Sequence, residues 1–206
     1  MMLPQMGISG QERLKAGRVL LVGAGGLGSS ALLYLAGAGV GTIGICDGDR
    51  VDVSNLHRQI LYGVNDIGAK KAALASEKIK AQYPFITTVC HPLAIFAGNA
   101  EELVKQYDVI VDCSDNFETK FLLSDVCRKL RKTLIQASVY QFEGQLSASF
   151  ADGSGQCLRC LWKETPEAGC VGTCTDRGVV GATVGAFGSL QASEVIKALC
   201  GINSEL

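Results

Sequence analysis

Arg18-Val-Leu-Leu-Val-Gly-Ala-Gly-Gly-Leu-Gly28 decides the fold class. A short apolar run, Arg18 to Val22, leads without a spacer into Gly23, Gly25 and Gly28, the spacing G-x-G-x-x-G. Such a run, bounded by glycine, reads as a buried strand. Small and apolar residues from about Ser29 to Gly37 then read as a helix, closed by the Gly-rich turn Gly37 to Gly41. At a strand-to-helix turn, residues without side chains let backbone amides approach phosphate oxygens, and the positive end of the helix favours the anion. Thr42 to Cys46 is a second strand, closed by Asp47, an acid about twenty residues on and placed to accept from ribose hydroxyls. Strand, turn, helix, strand and acid together point to a nucleotide site. The turn alone does not choose among NAD, FAD and ATP, and its bland reading is a glycine turn needed only for close packing.

Outward from this unit the same alternation continues. Asp66 to Gln82 has helical spacing, ended by Tyr83-Pro84 because proline disfavours the helical conformation of its predecessor. A strand near Ile86 to His91 and a short acidic helix around Asn99 to Gln106 follow. Tyr107 to Asp112 and Thr133 to Ala137 read as buried strands, separated by a helix from about Phe117 to Leu130. Gln145 to Phe150 alternates as a more exposed, antiparallel strand would. A final helix spans roughly Ala182 to Leu199. The expected fold is α/β, a Rossmann-like doubly wound and mostly parallel sheet with additional antiparallel strands, in one domain over residues 1–206.

The formal net charge is -1, from 19 basic and 20 acidic residues, so no global field draws in nucleic acid or an anionic membrane. No apolar run reaches the roughly 18 to 20 residues of a membrane span, and nothing near Met1 resembles a targeting segment. The expected location is cytoplasmic. Nine cysteines, an odd count, argue against a secreted disulfide scaffold.

Asp47 to Gln59 turns the reading from hydride transfer towards nucleotidyl transfer. It places polar groups beyond the carboxyl end of the second strand, where open α/β sheets bind ligands. Asn55, Arg58 and Gln59 lie within one turn of each other, Lys71 follows on the next helix, and Asp112-Cys-Ser-Asp-Asn116 brings carboxylates to the same edge. Two cations, an amide and a carboxylate around a phosphate turn suit charge developing on an α-phosphate, with an aspartate holding Mg2+. Each residue also has a plainer reading: Arg58 and Lys71 as solvated cations, Asp115 as the cap of the helix starting at Phe117.

Taken with Cys157-Leu-Arg-Cys160 and Gly188-Ser-Leu-Gln-Ala192, these segments resemble the ThiF/MoeB/HesA family, bacterial relatives of ubiquitin-activating enzymes, from about Gly7 to Gly201. The resemblance implies binding of ATP with Mg2+ and adenylation of the C-terminal Gly-Gly carboxylate of a ubiquitin-like sulfur carrier (ThiS/MoaD-like), for thiamin or molybdopterin biosynthesis. By position it implies Gly25 and Gly26 on the phosphates, Asp47 on the ribose, Ser54, Asn55, Arg58 and Lys71 on the triphosphate, and Asp115 on the magnesium. It also implies a homodimer. Two departures lead us to expect a member shortened at both ends: the family's N-terminal R-Y-x-R-Q pattern and its second C-x-x-C pair have no counterpart here.

Cys157 and Cys160 form half of a tetrahedral zinc site of four cysteines. Cys170 and Cys174 could complete it, or no zinc binds; a redox-active pair is the other chemistry open to C-x-x-C. Cys174, near Arg177 and followed by Gly178-Val-Val, matches the family cysteine implicated in acyl or persulfide transfer, with Cys170 as its competitor. Three functions therefore compete: a carrier adenylyltransferase, a non-catalytic module that binds ATP and carrier, and an NAD-dependent oxidoreductase. The last lacks an obvious proton-transfer residue, since His57 lies in the phosphate-facing segment and His91 at a strand end. Trp162, just after the cysteine pair, leans towards the thiamin branch.

Overall fold

A computed structural model describes residues 3–163 and 178–202. The described elements run α1 (Gly7–Ala16), β1 (Arg18–Val22), α2 (Gly26–Ala38), β2 (Thr42–Cys46), α3 (Lys71–Gln82) and β3 (Thr87–His91). Then come α4 (Ala100–Lys105), β4 (Val109–Asp112), α5 (Phe117–Leu130), β5 (Thr133–Tyr140), β6 (Glu143–Ser149), α6 (Leu158–Leu161) and α7 (Gly181–Cys200). The strands form one sheet in the order β3-β2-β1-β4-β5-β6. All neighbours are parallel except β5 and β6, which make an antiparallel hairpin.

β1 sits between β2 and β4, so the chain winds outward from it in both directions. Alternate residues of β1 enter opposite cores, as a pleated strand requires. Val19 and Leu21 join the cluster under α1, α2, α3 and α7, while Leu20 and Val22 join the one under α4 and α5. All four are buried, which is why the run is apolar throughout rather than alternating. At the centre of the sheet the connections diverge at the carboxyl ends of β1 and β4, the point where doubly wound sheets open a crevice.

Several boundaries differ from those the sequence suggests. The helix expected from Asp66 begins only at Lys71, because Gly68 takes a left-handed φ of +85° and Asp66 closes a tight turn by accepting from the Gly63 N–H. α1 had no periodic signal: only Gly10 and Leu14 on it are buried. β5 runs three residues past Ala137 because its end pairs with β6, Tyr140 opposite Glu143. Tyr107 precedes β4 rather than opening it; its ring is buried and its hydroxyl hydrogen-bonds His91 Nε2 at 2.7 Å. Among the described residues no helix is long and apolar enough to cross a membrane.

Candidate functional site

At the carboxyl ends of β1, β2 and β4 lies a cleft of about 510 Å³. Its floor is the glycine turn. Gly23 takes a φ of +92°, closed to most side chains, and its N–H donates to Cys46 O at 2.9 Å, so the turn is stitched to β2. The amides of the first turn of α2 have no acceptor within the helix, and Gly25, Gly26 and Leu27 of that turn line this space. A Cβ at Gly25 would find only Gln59 Nε2, at 3.5 Å, so bare backbone opens onto the cleft there. Gly28 serves another purpose. A Cβ on it would lie 2.1 Å from Gly23 O, and it does not line the cleft. The bare backbone at Gly28 lets α2 sit against the turn.

Asp47 stands beside the turn. Its Oδ2 accepts from the Ala24 N–H at 2.8 Å and its Oδ1 from the Asp49 N–H at 2.7 Å. Burial raises its carboxyl above the ordinary carboxylate range, against the lowering effect of those two amides and Lys71. Tyr62 ties the turn to α3, its hydroxyl donating to Ala24 O at 2.8 Å.

The segment after β2 supplies the cation expected of it, with a division of labour. Arg58 lines the cleft, and its Nη2 donates to Asn55 Oδ1 at 2.6 Å. Asn55 does not line the cleft; it holds Arg58. Ser54 is also outside, its N–H and hydroxyl both spent on Asp52 Oδ1. In this structure Asn55 supports the arginine and Ser54 is held by Asp52. Gln59 is 4% exposed and lines the cleft, and its Oε1 is the buried side-chain acceptor left without a partner among the described residues. An orphaned acceptor in a cleft is costly unless a donor arrives.

Lys71, at the start of α3, is buried, and its Nζ reaches Asp49 Oδ2 at 3.2 Å. Across the cleft the end of β4 turns through Asp112-Cys-Ser-Asp-Asn116. Asn116 caps α5, its Oδ1 accepting from the Thr119 N–H at 2.9 Å. That leaves Asp115 out of the capping role: its exposed carboxylate has no hydrogen bond or ion pair among the described residues and lines the cleft.

The sequence reading missed part of the wall. Lys120, Asp49, Glu143 and the stretch Leu93 to Ile95 all line the cleft. Lys120 reads in sequence as one more helix lysine, and Glu143 arrives only because β6 folds back along β5. Arg58 and Lys71 face Asp47, Asp49, Asp115 and Glu143 there, while the ammonium of Lys120, though the residue lines the wall, is spent on Asp112 and Ala137 O. Two cations and a phosphate turn beside four carboxylates fit an anionic nucleotide together with a divalent cation, and the free carboxylate of Asp115 is the group suited to hold Mg2+.

Cys157 and Cys160 lie apart from the cleft, Sγ to Sγ 3.3 Å, on the segment holding α6. Burial pushes the Cys157 thiol up, but hydrogen bonds from Cys160 and neighbouring amides and the charge of Arg128 outweigh it, so the thiol is lowered overall. Tetrahedral thiolates on zinc sit about 3.8 Å apart, from Zn–S bonds of about 2.3 Å. The pair, at 3.3 Å, sits closer than two such vertices, and no group of three or more metal-binding side chains occurs among the described residues. Cys170 and Cys174 lie outside the described residues.

The model of the ThiF family matches residues 1–206. This chain belongs to the ThiF family. It is 43% identical to a sulfur carrier protein adenylyltransferase of Thermus thermophilus, covering all of this chain and 78% of that protein. The probable adenylyltransferase/sulfurtransferase MoeZ of Mycobacterium tuberculosis is 45% identical, over all of this chain and 53% of that one. A probable molybdopterin-synthase adenylyltransferase of Porphyra purpurea is 44% identical, again over the whole chain and 54% of the relative. The chain thus spans about half the length of two of these relatives. Among solved structures, Escherichia coli MccB with ATP superposes with a TM-score of 0.80 at 21% identity, over 97% of this chain and 61% of that one. PaaA does so with 0.77 at 23%, over 95% and 59%. At these identities the likeness establishes a shared mixed α/β fold, in keeping with the expected doubly wound sheet.

Proposed function

We propose that this ThiF-family chain adenylates the C-terminal Gly-Gly carboxylate of a ubiquitin-like sulfur carrier with ATP. The observation that carries the reading is the convergence of Gly25, Gly26, Arg58, Lys71 and Asp115 on one cleft at the switch point of the sheet. Relatives named a sulfur carrier protein adenylyltransferase and a probable adenylyltransferase/sulfurtransferase support it.

In this reading the amides beginning α2 hold phosphate oxygens, Asp47 accepts from the ribose hydroxyls, and Gln59 Oε1 gains its missing donor from the bound nucleotide. A carrier carboxylate oxygen attacks the α-phosphorus; the bond to the bridging oxygen breaks, and pyrophosphate leaves with the electron pair. Arg58 and Lys71 neutralise the charge that gathers on the phosphates, and no general base is needed because the attacking carboxylate is already ionised. Mg2+, held by Asp115, supplies further charge neutralisation on the phosphates when bound. Asn116 shapes the same turn.

The remaining assignments rest on the resemblance. Cys174 takes the acyl group after adenylation: its thiolate attacks the acyl carbon and AMP leaves. Cys157 and Cys160 hold a structural zinc together with further thiolates. The chain works as a homodimer in the cytoplasm, a reducing setting that suits the seven free cysteines among the described residues. The pathway served is that of thiamin or molybdopterin.

ATP–pyrophosphate exchange with Mg2+ and a panel of Gly-Gly-ended carriers tests the proposal. Exchange that requires a carrier and disappears in Asp115→Ala is expected, and the active carrier names the pathway. ATP binding without exchange for any carrier would instead identify a non-catalytic binding module.

A further inference from the structure

Beneath the cleft lies a buried charge pair that the adenylation chemistry does not itself call for. Asp112, at the end of β4, is fully buried, and Lys120, on α5, is 7% exposed at its side chain; Nζ and Oδ2 are 3.3 Å apart. The lysine also donates to Ala137 O on β5 at 2.7 Å. Asp112 is a hub. Its Oδ1 accepts from the Ser114 N–H at 2.9 Å and from the Ser114 hydroxyl, and its Oδ2 accepts from Gln136 Nε2 at 2.9 Å. Gln136 Nε2 also donates to Lys120 O at 3.0 Å, and Gln191 Nε2, from α7, donates to Asp112 O at 2.8 Å.

Every bond of this network ends on the root of the turn Asp112–Asn116 or on an element flanking it. A buried ion pair is seldom a source of stability, since desolvation offsets the attraction, but a pair whose remaining donors and acceptors are satisfied fixes its neighbours in one geometry. The turn it fixes carries Asp115, whose own carboxylate has no tether among the described residues. Asp115 therefore depends on its backbone for position.

We infer that Lys120 is a positioning residue: by bridging Asp112 and Ala137 O it clamps β4, β5 and α5 together and so holds Asp115 at the distance from the glycine turn that a magnesium-bound triphosphate requires. Lys120 lines the cleft wall, but with its ammonium spent on Asp112 and Ala137 O it acts through the turn that carries Asp115 rather than on the nucleotide. The inference rests on the nucleotide reading of the cleft, and it goes beyond it by assigning to a buried lysine the coupling between metal and nucleotide. Loss of the clamp leaves the phosphate turn intact, so the effect falls on the magnesium dependence of binding rather than on nucleotide binding as such.

The test is calorimetric titration of ATP at a series of Mg2+ concentrations, with thermal melts on each protein. In Lys120→Met the Mg2+ concentration at half-effect rises about tenfold or more, since a displacement of about 1 Å in such a site can cost a hundredfold, while magnesium-free ATP affinity stays within about threefold. Lys120→Arg keeps the charge and the donors and restores the wild-type magnesium dependence. Lys120→Met destabilises by stranding Asp112, so the double variant Asp112→Asn/Lys120→Met, which strands no charge, separates the two effects: it melts closer to wild type yet keeps the raised magnesium requirement. A wild-type magnesium dependence in the folded double variant overturns the inference, as does an equal loss of ATP affinity with and without Mg2+. Wild-type protein that binds ATP with magnesium but exchanges with no carrier refutes adenylation alone, leaving the clamp open to the same titration; wild-type protein that binds no ATP refutes both.

Discussion

Gly25 and Gly28 belong to one motif, and the structure predicts that alanine at each has different consequences. At Gly28 the new Cβ meets Gly23 O at 2.1 Å, more than about 1 Å inside an ordinary carbon–oxygen contact, and the obstacle is backbone. α2 must move off the turn or the turn must open, and overpacking of this kind costs about 3 kcal/mol. Alanine returns about 1 kcal/mol of helix propensity. The net loss is about 2 kcal/mol, or a melting point lower by about 4–8 °C in a chain of this size. At Gly25 the Cβ meets Gln59 Nε2 at 3.5 Å, an ordinary contact, but the backbone, at φ -84° and ψ -140°, lies outside the regions most side chains adopt. Alanine therefore costs about 1 kcal/mol of backbone strain, less than at Gly28, and its methyl group stands where phosphate oxygens approach the amides. A loss of about 1.4 kcal/mol there weakens ATP about tenfold. Thermal melts and calorimetry on the two variants measure both quantities. A Gly25→Ala protein that binds ATP as tightly as wild type would refute the placement of the phosphates on this turn, and a Gly28→Ala protein that melts with wild type would refute its packing role.

Because burial raises the Asp47 carboxyl, and ribose hydroxyls donate to its ionised form, ATP affinity should fall as pH drops through a value above the ordinary carboxylate range. The sign is fixed: the raised carboxyl takes up its proton first on acidification, so binding is full at neutral pH, and Asp47→Asn should abolish that step in a binding-against-pH titration. Asn116→Ala removes the cap of α5 and should cost about 1 kcal/mol in chemical denaturation, while Asn116→Asp retains it. Metal analysis should find stoichiometric zinc that Cys157→Ser or a strong chelator removes, with cooperative unfolding at lower temperature; zinc-free protein with unchanged melting would refute a structural metal here.

Much of this protein was legible along the chain because the signals are local. A five-residue strand whose last four residues are apolar and buried, a glycine turn and an acid closing the next strand are each set by neighbours in sequence, and β1, β2 and α5 lie where the residues place them. The cations Arg58 and Lys71 and the turn carrying Asp115 could be read because their segments follow strand ends, where a doubly wound sheet opens. Tertiary structure alone decided the rest. That Gly28 packs and Gly25 opens depends on the distance between α2 and the turn. That Asn55 steadies Arg58 depends on one 2.6 Å bond, and the freedom of Asp115 on Asn116 having taken the helix cap. Lys120 became part of the site only when β5 brought Ala137 O and β4 brought Asp112 to its ammonium, 17 and 8 residues away in sequence. A solvated helix lysine and a buried clamp look alike in sequence, because what separates them is desolvation by elements that meet only when the sheet is complete.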